Sequence, residues 1–392
     1  MKRISKTQKA KTLQKFAASC FLFAFCFFPF MIKAQSAINV GGIVTAHYLD
    51  GGDGASPLRH NDGLPGFEWV GDLFLNVRVS DEASVFLELE TWRGIDVRLY
   101  SGSLTYKISG DRLKVEAGKF VAPFGNFQPR RFAPHNFVYG YPLFYEYRTA
   151  LTANSVPRSR ETLLGARGGA NRDDGLALIA RQAYISGAQF FGKLGPFGYN
   201  LGLANGALCN PTTVSEGKQP MVFGRLHAQP AIGLTLGASA ASGIYLNRQN
   251  IAPDLQPDKH RQNLFGVDLE YSRGYLVFFG EGAFSRWQSP RLGESLEAMA
   301  FSAELRYKIM PRLFIAARYG RINFSKISDA QDVDADGQLT EPWEFPLWRL
   351  ESALGYNLSR HALLKAVWQL NRTDAPHDPA DNLAAIQMTV FY

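Results

Sequence analysis

Cysteine is scarce in this chain: 392 residues hold three, Cys20, Cys26 and Cys209. The first two lie in the opening 34 residues, and neither has a lipoprotein cleavage context. Cys209 alone belongs to the remainder, which excludes an internal disulfide, a Cys-ligated cluster and Cys-pair redox chemistry there. Long apolar runs are also missing after residue 34. No stretch of about 18 apolar residues occurs, so membrane-spanning helices are not expected. Net charge is the third absence. The formal +7 of the whole chain equals the seven Lys and Arg of residues 1–34, and beyond them 35 basic residues face 35 acidic ones. A basic nucleic-acid-binding protein is therefore excluded. The seven histidines fall mostly in expected loops and turns, with His227 alone well inside a strand. No Gly-x-Ser-x-Gly elbow, His-Glu-x-x-His pair or phosphate loop is present. An enzyme is not expected, since even a barrel hydrolase needs a nucleophile and base side by side.

The opening segment has what the rest lacks. Lys2, Arg3, Lys6, Lys9, Lys11 and Lys15 precede an apolar run from Phe16 to Ile32, followed by Lys33-Ala34-Gln35. A basic head, an apolar middle and a small residue mark a secretory signal, expected to be cut after Ala34. A retained helix fits less well, because the run is short and Pro29 interrupts it.

From Ile38 onward apolar and polar residues alternate. Ile386, Met388, Val390 and Tyr392 share one face of the last segment, opposite Ala385, Gln387, Thr389 and Phe391. Leu313, Ile315, Ala317 and Tyr319 oppose Arg312, Phe314, Ala316 and Arg318, and Leu364, Ala366, Trp368 and Leu370 oppose Lys365, Val367, Gln369 and Asn371. Seven short turns alternate with eight connections that are mostly longer. The short ones are at Ser80-Asp81-Glu82, Ser109-Gly110-Asp111, Gly195-Pro196, Pro230-Ala231-Ile232, Arg273-Gly274, Met310-Pro311 and Ser359-Arg360. The pattern predicts an all-β fold: a 16-stranded antiparallel transmembrane β-barrel over residues 35–392, in a bacterial outer membrane. A terminal strand ending on Tyr392 suits closure against the first strand. A soluble sandwich would show the same alternation, but not the export signal or the aromatic strand ends.

Alternation sends Arg78, Lys107, Lys114, Arg225, Arg306, Arg312, Arg318, Arg349 and Lys365 inward, with Asp72, Glu88, Glu90, Glu116, Asp268, Glu270, Glu281, Glu304 and Glu351. A barrel of about 16 strands leaves an aqueous channel, so these charges are expected to stay hydrated or to pair across strands. The third outer loop, 122–181, carries eight arginines (130, 131, 148, 158, 160, 167, 172 and 181) against four acids. Nine aromatic residues crowd its first half, from Phe124 to Tyr147. That many aromatics need burial, and the lumen is the nearest place for it. The loop is predicted to fold inward and present Arg130, Arg131, Arg158 and Arg160, with Arg225 and Arg318 of the wall, to passing anions. The other arrangement is a cap packed outside on the loops.

The run Gly118-Lys119-Phe120-Val121-Ala122-Pro123-Phe124-Gly125 resembles the Gly-x-Phe-x-x-Pro-Phe-Gly stretch of the phosphate-selective porin O/P family. Arg181 to Gly187 and Gly198 to Gly206 resemble the strand pair that follows that family's third loop. The resemblance implies a 16-stranded channel, usually a homotrimer, whose inward loop carries arginines that pass anions. Phosphate-selective members have a strongly basic interior, whereas this chain is neutral beyond residue 34.

The seventh outer loop contains Asp332, Asp334, Asp336, Gly337 and Glu341. Alternate carboxylates before a glycine form the first half of a calcium loop, although Trp343 stands where the closing acid would be. Calcium is the only cofactor suggested, and none is required. The function expected is passive diffusion of small hydrophilic, preferably anionic solutes, with outer-membrane lipid and lipopolysaccharide as surroundings. The alternative is a plugged barrel serving as a surface adhesin, receptor or structural element.

Overall fold

A computed structural model describes residues 37–51, 66–92, 96–168, 174–215, 217–252, 254–333, 337–376 and 382–392. The expected signal and its cleavage point lie outside the described residues. Among those described, sixteen antiparallel strands close into one barrel in simple up-and-down order. They are β1 Ile38–Gly51, β2 Gly66–Arg78, β3 Ala83–Trp92, β4 Asp96–Ser109, β5 Leu113–Val121, β6 Tyr184–Leu194, β7 Phe197–Ala204 and β8 Met221–Ala231. The circuit continues through β9 Leu234–Ile244, β10 Arg261–Arg273, β11 Leu276–Gln288, β12 Ser295–Lys308, β13 Leu313–Phe324, β14 Leu347–Ser359, β15 Ala362–Thr373 and β16 Leu383–Phe391.

Closure is made by the two ends of the chain. β1 runs antiparallel to β16 with Ile43 opposite Phe391 and Gly51 opposite Leu383. Among the described residues no edge of the barrel sheet is left open, which a lipid environment requires because it supplies no hydrogen-bonding water. The outward set is apolar: Val40, Val44, Val267, Met299, Leu354, Ile386 and Met388 are all exposed. Exposed Tyr106, Phe197, Tyr275, Tyr307, Tyr356 and Tyr392 gather near the short-turn end, and Tyr48, Phe67 and Trp69 near the other. An apolar belt between aromatic girdles is the outer surface of a membrane barrel, and this architecture places the chain in the bacterial outer membrane.

One turn lies later than the sequence suggests. Pro230 and Ala231 continue β8, and Ala231 pairs with Leu234 after a register shift, so the reversal is at Ile232-Gly233. Proline is tolerated there because the irregularity removes the ladder bond it could not donate. Two small ribbons also decorate the outer loops, Gly206–Ala207 with Asn210–Pro211 and Lys326–Ser328 with Thr340–Pro342.

The hydrophobic core is inside the barrel. Phe124, Phe127, Phe144, Tyr145 and Tyr147 of the third loop pack with Phe223, Leu264, Trp287, Phe324 and Trp343. Phe137, Val138 and Tyr139 pack with Phe279, Phe314 and Leu363. Each large side chain buried this way contributes about 1.5–3 kcal/mol, enough together to hold a long loop away from water. Short helical turns punctuate the loop at Gln128–Arg130, Leu143–Glu146 and Arg160–Leu164, the last capped by the Ser159 hydroxyl accepting from Thr162 N.

Candidate functional site: the loop across the lumen

The loop leaves β5 through Ala122-Pro123-Phe124-Gly125 and turns inward at once. Gly125 has φ +65°, a conformation that costs a side-chain-bearing residue about 1–2 kcal/mol. A Cβ there would also overlap the Glu281 carboxylate. The turn is fixed on both sides. Gly125 N donates to Ser239 Oγ at 3.2 Å, and its carbonyl accepts from Arg225 Nη1. Arg225 Nη2 in turn reaches Asp268 Oδ1 at 2.7 Å. Asn126 Nδ2 then donates to Leu269 O at 3.0 Å.

Further along, the loop reaches the opposite wall. Arg130 Nη1 meets Glu304 Oε1 at 2.8 Å, with its guanidinium 3.8 Å from the centre of the Phe279 ring. Arg318 is 1% exposed. It grips Glu351 through Nε (2.5 Å) and Nη2 (2.9 Å) and donates from Nη2 to Tyr139 O at 2.8 Å. Arg349 Nη1 meets Glu146 Oε2 at 2.6 Å, and Tyr145 donates to Glu281 Oε1 at 2.5 Å. Lys365, 0% exposed, donates to three loop carbonyls. These lumenal charges were expected to stay hydrated or to pair across strands; on this wall they pair, as Arg318 does with Glu351, and are covered by the loop. The loop brings carbonyls and counter-charges to them, which replaces the hydration that burial removes.

On the near wall the loop packs less completely. Arg131 Nη2 bonds both Glu88 oxygens, at 2.9 and 3.0 Å, and Tyr184 Oη at 2.7 Å, while Tyr184 donates to Glu88. Phe132 meets Phe74 edge-on at 5.0 Å. Three cavities remain beside this segment. One of about 150 Å³ lies toward the outer face, against β1–β3 and β16. Two lie toward the periplasmic face, of about 810 and 510 Å³. Arg131 lines all three.

The residues singled out in the sequence thus divide. Arg130, Arg131, Arg225 and Arg318 meet inside the barrel, each held by a wall carboxylate. Arg158 is exposed, and Arg160 Nε binds Glu294 of the sixth outer loop at 2.6 Å. Those two do not join the lumenal group, because the loop climbs back to the outer rim after Tyr147. Arg78, Lys107 and Arg312 are exposed near the short turns, and Lys114 binds Asp111 at 2.6 Å.

In the seventh loop, Asp334 and Asp336 lie outside the described residues. Asp332 accepts from Gly337 N at 3.1 Å. Glu341 is buried, with one oxygen against Arg167 Nη1 at 3.1 Å. Among the described residues no three His, Cys, Asp or Glu side chains converge as metal ligands.

Sequence reasoning missed Lys365 as an anchor, and it missed Glu344. Glu344 accepts from Ala150 N (2.7 Å), Gly168 N (2.8 Å) and Phe345 N (3.0 Å), tying the loop's outer half to the barrel rim. Burial pushes its carboxyl above the usual range, against the pull of those N–H donors. Apart from Phe345, the partners of Lys365 and Glu344 lie 176 to 232 residues away in the chain, beyond any local signal.

No protein-family model matches the chain, and no curated protein matches its sequence. Solved structures do match its shape. An anion-selective porin from Comamonas acidovorans superposes with TM-score 0.60 at 9% identity, covering 91% of this chain and 100% of that one. The outer membrane channel DcaP of Acinetobacter baumannii gives 0.59 at 13% identity, over 92% and 98%. OmpT, an outer membrane protein of Vibrio cholerae, gives 0.57 at 12%, also over 92% and 98%. At such identities the likeness is one of fold, and the fold shared is the closed, porin-type β-barrel.

Proposed function

We propose that the chain forms an outer-membrane channel for passive diffusion of small hydrophilic solutes, its bore reduced by the third loop. The observation that carries this is the incomplete filling of the lumen: the loop is tied across it, yet cavities remain on both faces, with Arg131 in the lining of each. A polar lumen narrowed to a few side chains lets solutes exchange hydration for weak contacts as they pass. The porin-type neighbours support the same reading, and their trimeric examples suggest a homotrimer. Anion preference, and phosphate preference above all, gains little from the loop arginines. Arg130 and Arg131 border the open space, but Glu304 and Glu88 neutralise them. Arg158 and Arg160 stand at the rim.

A plugged barrel, used as an adhesin, receptor or structural element, has one observation in its favour: the aromatic core that fills the far side of the lumen. Conductance of the purified protein in planar bilayers separates the two. Stable unitary currents are expected. A heat-modifiable, β-rich protein that inserts and carries no current would establish the plug and overturn the channel.

A further inference from the structure

The outer cavity has a lining that the channel reading leaves unused. On the wall side it presents Thr45, His47, Glu68, Asp72, Glu90 and Gln387. Register explains their proximity. His47 lies opposite Glu68 on β2 and opposite Gln387 on β16, while Asp72 lies directly opposite Glu90 on β3. Like charges placed opposite each other across strands destabilise a sheet. Among the described residues Asp72 has no hydrogen bond or ion pair, and Glu90 has the Gln182 amide, 3.0 Å from Oε2, and the Tyr100 hydroxyl.

Two nearly buried polar groups point the same way. His47 and Gln387 are each 7% exposed, and His47 Nδ1 and Gln387 Oε1 have no hydrogen-bond partner. His47 Nε2 lies 3.2 Å from the Glu68 carboxylate, an acceptor, so the proton of a neutral ring sits on Nε2 and Nδ1 is left as an acceptor. The wall therefore offers carboxylate, imidazole and amide acceptors, and few donors. Across the cavity the loop's cations are shared: Arg131 is paired with Glu88 and also acts on Asp72, and Arg181 lies 3.9 Å from Glu146 and also acts on Glu90. Phe132, Tyr139 and Tyr141 complete that side with aromatic surface.

We infer that this cavity is a binding site for small organic cations, of the primary ammonium class, on the outer approach to the constriction. An ammonium supplies three donors where the wall supplies unpartnered acceptors, and aromatic faces accommodate its charge and its methylene stem. A bare metal ion fits poorly, because no three ligating side chains converge on one point among the described residues. The inference rests on the channel reading only for its consequence, slowed conduction; the binding itself does not need an open pore.

The test uses the full-length, detergent-solubilised protein and three four-carbon probes: 1,4-diaminobutane, butane-1,4-diol and butanedioate. Calorimetry should show binding of the diamine alone, and outer-side diamine should reduce unitary current. Combined Asp72→Asn and Glu90→Gln should weaken diamine binding by about tenfold or more, the loss expected when charge-assisted contacts become neutral ones. Gln387→Glu, which turns the amide into a carboxylate of the same size, should tighten it. Heat-modifiable migration certifies that each variant is folded. Butanedioate binding as well as the diamine, or diamine binding indifferent to both variants, would overturn the site. Diamine binding with these responses in a barrel that carries no current would uphold the site and overturn the channel.

Discussion

Lys365, on the inner face of β15, donates from its ammonium to the carbonyl of Val138 at 2.9 Å, although 227 residues separate them. Asn136 O at 2.7 Å and Ala133 O at 3.2 Å complete a cage of three backbone acceptors. An ammonium has three donors, and all three are used. Lys365→Met keeps the volume of the stem and strands the three carbonyls without a partner. Leaving buried polar groups unpaired costs about 1–3 kcal/mol, so the loop tip should detach locally while the barrel stays intact. Faster proteolysis between residues 133 and 138, with a larger or noisier unitary current, is the expected result. Cleavage and current both equal to those of the unaltered protein would mean that the aromatic cluster holds the tip without Lys365.

Gly125 shows how much of this site a sequence reveals. The glycine of the Pro-Phe-Gly stretch was legible as part of a resemblance, but not its reason, which is a left-handed turn pressed against Glu281. Strand count and facing were legible because side-chain direction has a period of two and the outer face meets only lipid. Inward residues such as Arg318 and Glu351 were identifiable by the same rule. Their partners were not, since pairing depends on where a long loop lands. Loop arginines 130 and 158 look alike in sequence; only the return of the chain toward the rim after Tyr147 separates them. Gly125→Ala should therefore be costly, adding the penalty of about 1–2 kcal/mol for the turn to a clash with Glu281. The temperature at which the folded gel band is lost should fall. An unshifted transition would show that the turn can relax.

Cys209, in the ribbon of the fourth outer loop, is a buried free thiol. Burial pushes it up to about 12, since a thiolate there would lose its hydration. At pH 8 the folded barrel should thus hold an inaccessible, protonated sulfur. A maleimide probe should label it only after heat unfolding, at one equivalent per chain in a protein lacking residues 1–34, where Cys20 and Cys26 lie. Rapid labelling of the folded protein would mean that the fourth loop opens on its own.

Arg131 offers the sharpest division between lumen and rim. It lines all three of the cavities described beside the loop, and its charge is matched by Glu88, which is itself almost fully buried. Arg131→Gln removes the cation and leaves Glu88 with Tyr184 as its remaining donor. The constriction then becomes more negative where a permeating ion has little water around it. One uncompensated charge at about 4 Å is worth about 1 kcal/mol even under aqueous screening, roughly a fivefold change in ion preference. The reversal potential in a salt gradient should move toward cations by a corresponding amount. Arg158→Gln with Arg160→Gln removes twice the charge, but from an exposed position and a rim pair with Glu294. At the rim, bulk salt screens both groups within about a Debye length of 10 Å, so that variant should leave the reversal potential unchanged. The reverse ranking, with the rim pair decisive and Arg131 silent, would move the selectivity filter from the loop tip to the outer mouth.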